Sequence, residues 1–250
     1  MTAVLAVRGA TKRFGAVVGL DSVDVDVNAG EVLALLGDNG AGKSTLIKAL
    51  SGALSLDRGV IELDGRRVTL GSPAAARNLG IETVYQDLAL FDNLRPSDNF
   101  YAGRELSGPR WLPQSIRVLR RGEMADTTRR TLERLQVSLD DHGAVGLLSG
   151  GQRQGVAVAR AAAFASRIVI LDEPTAALGL RESRRVLDLI LRLRDEGKAV
   201  VVVSHAMDHV MEVADRAVVL RRGRKVGELV PSSETYAQIV SLIVGGGAEA

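Results

Sequence analysis

The chain has 250 residues, 46% of them hydrophobic, with 32 basic against 30 acidic side chains and a formal charge of +2. That length can bury a full core, and the near balance of charge excludes the strong basic field of a nucleic-acid or anionic-lipid binder, so no nucleic-acid partner is expected. Cysteine is absent, which removes disulfide frameworks and thiol chemistry from consideration.

In chain order, the first eight residues lack the basic stretch and long apolar run of an export signal. No apolar run approaches the roughly 20 residues that cross a bilayer, and a cytoplasmic chain is expected. Residues 3–35, together with 59–65, read as short strands and turns and predict an antiparallel portion. Within them the run 32–36 (VLALL) reads as a strand, and Gly37, Asp38, Asn39, Gly40, Ala41, Gly42, Lys43, Ser44 and Thr45 follow it. Those nine residues complete G-x-x-x-x-G-K-[ST]. The glycines let successive backbone N–H groups close around phosphate oxygens, and the helix expected to start near Lys43 aims its positive end at the same anion. Lys43 is placed to neutralise β and γ phosphates and the Ser44 hydroxyl to ligate Mg²⁺. A glycine-rich turn that binds nothing is the plain alternative, and the strand upstream argues against it. The loop predicts a nucleoside triphosphatase without saying which kind.

Further strands are expected at 81–85, 167–171, 199–203 and 217–220. Between the second and third, Val186, Ile190 and Leu193 line one helical face, with Leu187 and Leu191 beside them. Strand and helix in alternation predict an α/β fold whose sheet is mostly parallel. Residues 87–165 break the rhythm: they read as helical, with Met124, Thr128, Leu132 and Leu135 on one face, after loop signals at Gly108, Pro109 and Pro113. The expected organisation is one domain over 1–250, a nucleotide-binding core with an antiparallel β subdomain and an inserted helical subdomain at 87–165. The tail 245–250 is expected to fray.

The apolar run 168–171 delivers Asp172 and Glu173 to its carboxyl end, where ligands sit in parallel sheets. Asp172 suits Mg²⁺, directly or through water, and Glu173 suits orienting or deprotonating the water that attacks the γ-phosphate. An ordinary strand exit before Pro174 is the bland reading; a phosphate loop in the same chain weighs against it. His205 follows the valine strand, where it could donate to the γ-phosphate. Upstream, Leu148-Ser149-Gly150-Gly151-Gln152-Arg153-Gln154 opens an alanine-rich helical stretch, so Ser149 and the two glycines form another helix N-terminus with free N–H groups.

At this heptapeptide, placed just before an Asp-Glu strand, the chain resembles an ABC transporter ATPase, and the resemblance covers nearly its whole length. The wording of 37–40, 81–90, 151–160 and 176–179 is most similar to bacterial monosaccharide importers, nearest the fructose-import type. The resemblance implies ATP and Mg²⁺ as ligands. It also implies that Gln86 is a glutamine-loop residue acting in metal binding and catalysis, that His205 is a switch histidine, and that Phe14 stacks on adenine. Two copies are implied to pack head to tail, the phosphates resting on 40–45 of one and on Ser149, Gly150, Gly151 and Gln152 of the other. A permease helix is implied to dock near 87–121, with Phe91, Phe100, Tyr101 and Trp111 as lining. An extracytoplasmic sugar-binding protein is implied to act through that permease, and the cytoplasmic face of the plasma membrane is the implied location. One departure stands out: Ala176-Ala177-Leu178-Gly179 lacks the family's usual serine and acid, which bears on contacts across the dimer. An exporter ATPase, a translation or DNA-repair ABC ATPase, and a nucleotide-gated scaffold are the rival readings. The single phosphate loop weighs against the translation reading, the lack of a long coiled coil between phosphate loop and Ser149 against the DNA-repair one, and the intact Glu173 against the scaffold.

Overall fold

The computed structural model describes residues 3–109, 118–139 and 143–245. Trp111 and Pro113, and the tail beyond 245, lie outside them.

Two sheets organise the fold. Strands β1 (Ala3–Phe14), β2 (Val17–Asn28), β4 (Arg58–Leu63) and β5 (Arg66–Val68) form an antiparallel sheet in the order β2-β1-β4-β5. This is the expected antiparallel portion, but β1 and β2 run 12 residues each rather than being short. Their pairing shifts register at several points, as β-bulges do, so polar breaks such as Gly9 and Gly19 bend the ribbon without ending it.

The second sheet has the order β12-β11-β3-β10-β9-β6: β3 (Val32–Leu36), β6 (Ile81–Val84), β9 (Ile168–Asp172), β10 (Ala199–Val203), β11 (Arg216–Arg221) and β12 (Arg224–Leu229). All neighbours pair in parallel except β11 and β12. The α/β class and mostly parallel sheet are therefore borne out, and β12 is an antiparallel edge strand that the sequence pattern did not reveal.

Near-continuous apolar strands are what a sheet covered on both faces requires. One face, with Leu33, Leu35, Ile168, Ile170, Val201 and Val203, packs on α1 (Lys43–Leu50), whose Leu46, Ile47 and Leu50 also meet the antiparallel sheet, and α2 (Pro73–Asn78) adds Ala76 to the same cluster. The other face, with Val169, Leu171, Val200 and Val202, packs on α5 (Gly150–Phe164) and α6 (Leu180–Asp195). In α6 the buried stripe is Val186, Leu187, Leu189, Ile190 and Leu193, with Leu191 only partly covered. A third cluster lies where Ala34, Leu36, Ala217 and Val219 meet Val210 of α7 (Met207–Val213) and Ile239 of α8 (Tyr236–Val244).

Between β6 and β9 the described chain is mainly helical: α3 (Pro96–Tyr101), α4 (Arg121–Arg134) and α5. A two-residue pairing of β7 (Ser107–Gly108) with β8 (Val118–Leu119) interrupts it. Met124, Thr128, Leu132 and Leu135 are all buried, and the face expected for α4 is correct. α5 shares its core with the parallel sheet. Phe100 and Tyr101 are buried in that core rather than lining a groove, with Tyr101 edge-on to Phe164 at 5.5 Å. Phe91, by contrast, is exposed.

Candidate functional site

The site forms where β3, β9 and β10 deliver their carboxyl ends. β3 runs into Gly37, whose φ of +147° puts an added Cβ 2.3 Å from the Leu220 carbonyl; only glycine fits that approach. Gly42 caps α1 at φ +109°, and a Cβ there meets the Gly19 carbonyl at 2.6 Å. No side chain caps α1, so its N-terminal N–H groups face the loop with their partial positive charge, the arrangement that holds phosphate.

A cleft of about 340 Å³ opens above this turn. Its walls include Phe14, Val17, Val18, Gly19, all of 39–45, Gln86, Asp172, Glu173 and His205. Residues far apart in sequence thus converge on one pocket. Gly37 and Asp38 support it from behind: their carbonyls accept from Lys43 Nζ at 2.8 and 3.0 Å, centring the ammonium under the loop. Burial pushes the Lys43 ammonium down from its ordinary value against the pull of Glu173, Asp38 and Asp172.

The two carboxyls are both raised. For Asp172 burial is the main cause, opposed by Lys43, His205 and Lys48. For Glu173 burial again leads, opposed by His205 and reinforced by Asp172. Glu173 has φ +51°, uncommon outside glycine and a mark of local strain at functional sites. Its N–H donates to the Val203 carbonyl at 3.0 Å, and His205 N–H approaches its Oε2 at 3.4 Å. Glu173 Oε1 is buried 3.3 Å from His205 Nε2, within ion-pair distance of the imidazole, but makes no hydrogen bond.

A buried carboxylate oxygen that makes no hydrogen bond, beside a second raised carboxyl, fits a cation brought in with an anionic ligand. The oxygens available are the Ser44 hydroxyl, the Gln86 amide and the Asp172 carboxylate, the hard donors that Mg²⁺ takes. Among the described residues no cluster of three acidic, histidine or cysteine side chains could cage a metal alone, so substrate phosphates would complete its shell.

Phe14 stands at the mouth, 49% exposed, with the Lys12 ammonium 5.9 Å from its ring centroid. An added Cβ on Gly19 falls 2.8 Å from its Cε2, so Gly19 makes room for the ring.

Ser149, Gly150, Gly151 and Gln152 lie apart from this cleft, at the N-terminus of α5. Gln152 N–H donates to Ser149 Oγ at 3.2 Å and Ser149 N–H to Gln152 Oε1 at 3.0 Å, a complete capping box. The segment after Gln86 is tied to this helix: Arg160 donates to the carbonyls of Leu88 and Ala89, both at 2.9 Å and both at positive φ.

A strand-fed phosphate loop, paired acids on the adjacent strand and a capped Ser-Gly-Gly helix start outside the cleft are together the layout of an ATP-binding cassette, and the ABC transporter pattern matches residues 20–176. The chain belongs to the ABC transporter family. It is 50% identical to the fructose import ATP-binding protein FrcA of Rhizobium meliloti, across 97% of this chain and 94% of that protein. It is 45% identical to the xylose/arabinose import ATP-binding protein XylG of Sulfolobus acidocaldarius, covering 90% and 87%. Against the ribose import protein RbsA 1 of Rubrobacter xylanophilus, 44% identical, it spans 98% of itself but 48% of the relative. Among solved structures, a nucleotide-free ATP-binding cassette of an ABC transporter overlays at TM-score 0.81 with 27% identity, covering 97% of each chain. As a member of this family the cassette is an ATPase.

The sequence reading missed Val17, Val18 and Gly19 as walls of the cleft; nothing in a β-ribbon's pattern tells which of its turns faces a distant loop. It also missed His209, whose Nδ1 shares a 3.0 Å hydrogen bond with Thr175 Oγ1. The signal available there was position, Thr175 standing two residues after Glu173 and His209 four after His205.

Proposed function

We propose that this cassette hydrolyses ATP to drive a monosaccharide, with fructose the first candidate, inward through a membrane permease. The convergence of Lys43, Ser44, Gln86, Asp172, Glu173 and His205 on one cleft carries the hydrolytic half of this reading. The transport half is supported by similarity over nearly the full length of a fructose import ATP-binding protein.

In the proposed division of labour, the 39–45 loop and Lys43 hold the β and γ phosphates, and Phe14 stacks on the base. Ser44, Gln86 and Asp172 hold Mg²⁺, which neutralises charge on the phosphate oxygens when bound. Glu173 orients and deprotonates the attacking water, and its raised carboxyl makes it a stronger base than an exposed glutamate. His205 donates to the γ-phosphate. The Ser149–Gln152 turn, outside the cleft of its own chain, serves the phosphates of a second copy.

The reading places residues 87–165 as the subdomain that meets the permease, with exposed Phe91 in the contact. The sugar-binding protein on the far side acts through the permease. Among the described residues no helix is long and apolar enough to cross a membrane, and the proposal puts the cassette on the permease at the cytoplasmic face.

Glu173→Gln tests the core of this. ATP binding should persist while turnover falls by about 10²-fold or more, the usual weight of a general base; a rate near that of the natural chain would remove Glu173 from the role. For the transport half, the cassette isolated from native membranes should bring a permease and a binding protein selective for a monosaccharide. Recovery with ribosomes or with an export complex would point elsewhere.

A further inference from the structure

We propose that His209 is a positioning residue for hydrolysis: by bonding Thr175 it fixes the strained Glu173 against the segment that carries His205. The inference rests on Glu173 as the base.

Two segments must hold register for that chemistry, the exit of β9 at 172–179 and the exit of β10 at 203–207. Within the cleft the Glu173 side chain meets His205 at 3.3 and 3.4 Å. Those contacts are long, and both side chains belong to the reacting centre. Glu173 meanwhile sits at φ +51°, a conformation that persists only when its surroundings over-determine it. Two main-chain bonds contribute, Glu173 N–H to the Val203 carbonyl at 3.0 Å and Ala176 N–H to the Glu173 carbonyl at 3.1 Å.

The third constraint is Thr175 Oγ1 with His209 Nδ1 at 3.0 Å. Thr175 is buried, and the bond lies beside a cavity of about 10 Å³ among Ala34, Leu187, Val202 and Val210. With the imidazole in place that space is at or below what one water needs, so little room is left for solvent to compete for the bond. His209 lies on α7, which begins two residues after His205. The bond therefore bridges the two exits on the side away from the nucleotide and leaves Glu173 and His205 free to react.

The test uses the full chain and steady-state ATP hydrolysis. His209→Ala should lower kcat about tenfold, the factor for one hydrogen bond of ordinary net strength, with KM and ATP affinity little changed. His209→Asn, whose amide reaches the Nδ1 position, should restore most of the rate; His209→Gln, which reaches only as far as Nε2, should not. Thr175→Val should match His209→Ala, and the double variant should be no slower than either. Equal loss in kcat and ATP affinity, additive effects, or rescue by both amides would reduce the bond to ordinary packing and overturn the proposal, as would an unchanged kcat. Glu173→Gln run alongside separates the failures: if it stays active the base assignment is wrong, and if it is dead while His209→Ala is unimpaired only the positioning role falls.

Discussion

In the role proposed for Glu173, the chemistry depends on a carboxyl that burial raises and His205 pulls back down. A base must be ionised to act, so kcat is full above the raised pKa and falls as pH drops through it. The acid limb of the kcat profile should therefore lie above the about 4.3 of a free glutamate, and a limb at or below that value would mean the rate reports another group. Phe14 makes a different prediction, since in the proposal this half-exposed ring at the cleft mouth stacks on the base and leaves the phosphates to the loop. Phe14→Ala should raise KM for ATP about 5- to 30-fold, the range for a stacking contact worth 1–2 kcal/mol, and leave kcat nearly unchanged; a fall in kcat at constant KM would deny it that place. These residues were legible because phosphate and metal chemistry dictates residue types at fixed spacing: Gly42-Lys43-Ser44 and Asp172-Glu173 announce themselves. His209 was not, because it matters through Thr175, 34 residues away, nor was Gly19, which makes room for Phe14 across the turn of a ribbon; periodicity carries no such information.

Among the elements, α5 does the most to join the cleft to the rest of the molecule. Its first turn presents Ser149, its buried face packs on β9, and Arg160 near its end holds two strained carbonyls of the segment after Gln86. Burial lowers the Arg160 guanidinium from its ordinary value, and its two bonds reach the half-buried Leu88 carbonyl and the exposed Ala89 carbonyl. Arg160→Leu should destabilise the fold by about 1.5–3 kcal/mol, the weight of a hydrogen bond to a charged group. Denaturant titration reads that loss, and a change under 0.5 kcal/mol, about what a surface substitution gives, would show that the carbonyls find other partners. Strands 81–85, 167–171, 199–203 and 217–220 were legible within a residue or so, since β-branched runs have few other uses in an α/β chain. β12 was not, for Arg224 to Leu229 is polar, lies at an edge and pairs antiparallel, and nothing in its composition sets it apart from a loop. Phe100 and Tyr101 misled for the opposite reason: aromatic residues in a helical segment look like a docking surface, and core packing claimed them.

For the whole molecule the decisive arrangement is a separation. Lys43 and Ser149 belong to different surfaces of one chain, the first in the cleft and the second capping a helix outside it, so neither copy alone surrounds a triphosphate. The proposal makes ATP the bridge between two copies and hydrolysis its release. Gly179, which caps α6 without a side chain, leaves the family's usual acid out of the proposed interface, so in that proposal the closed pair leans on nucleotide contacts. The chain has no cysteine, which makes one measurement clean: disulfide trapping between copies carrying Asn39→Cys and Ser149→Cys, in the Glu173→Gln background. The account predicts a cross-linked pair with ATP and little with ADP or without nucleotide; a cross-link indifferent to nucleotide, or none with ATP, would contradict it.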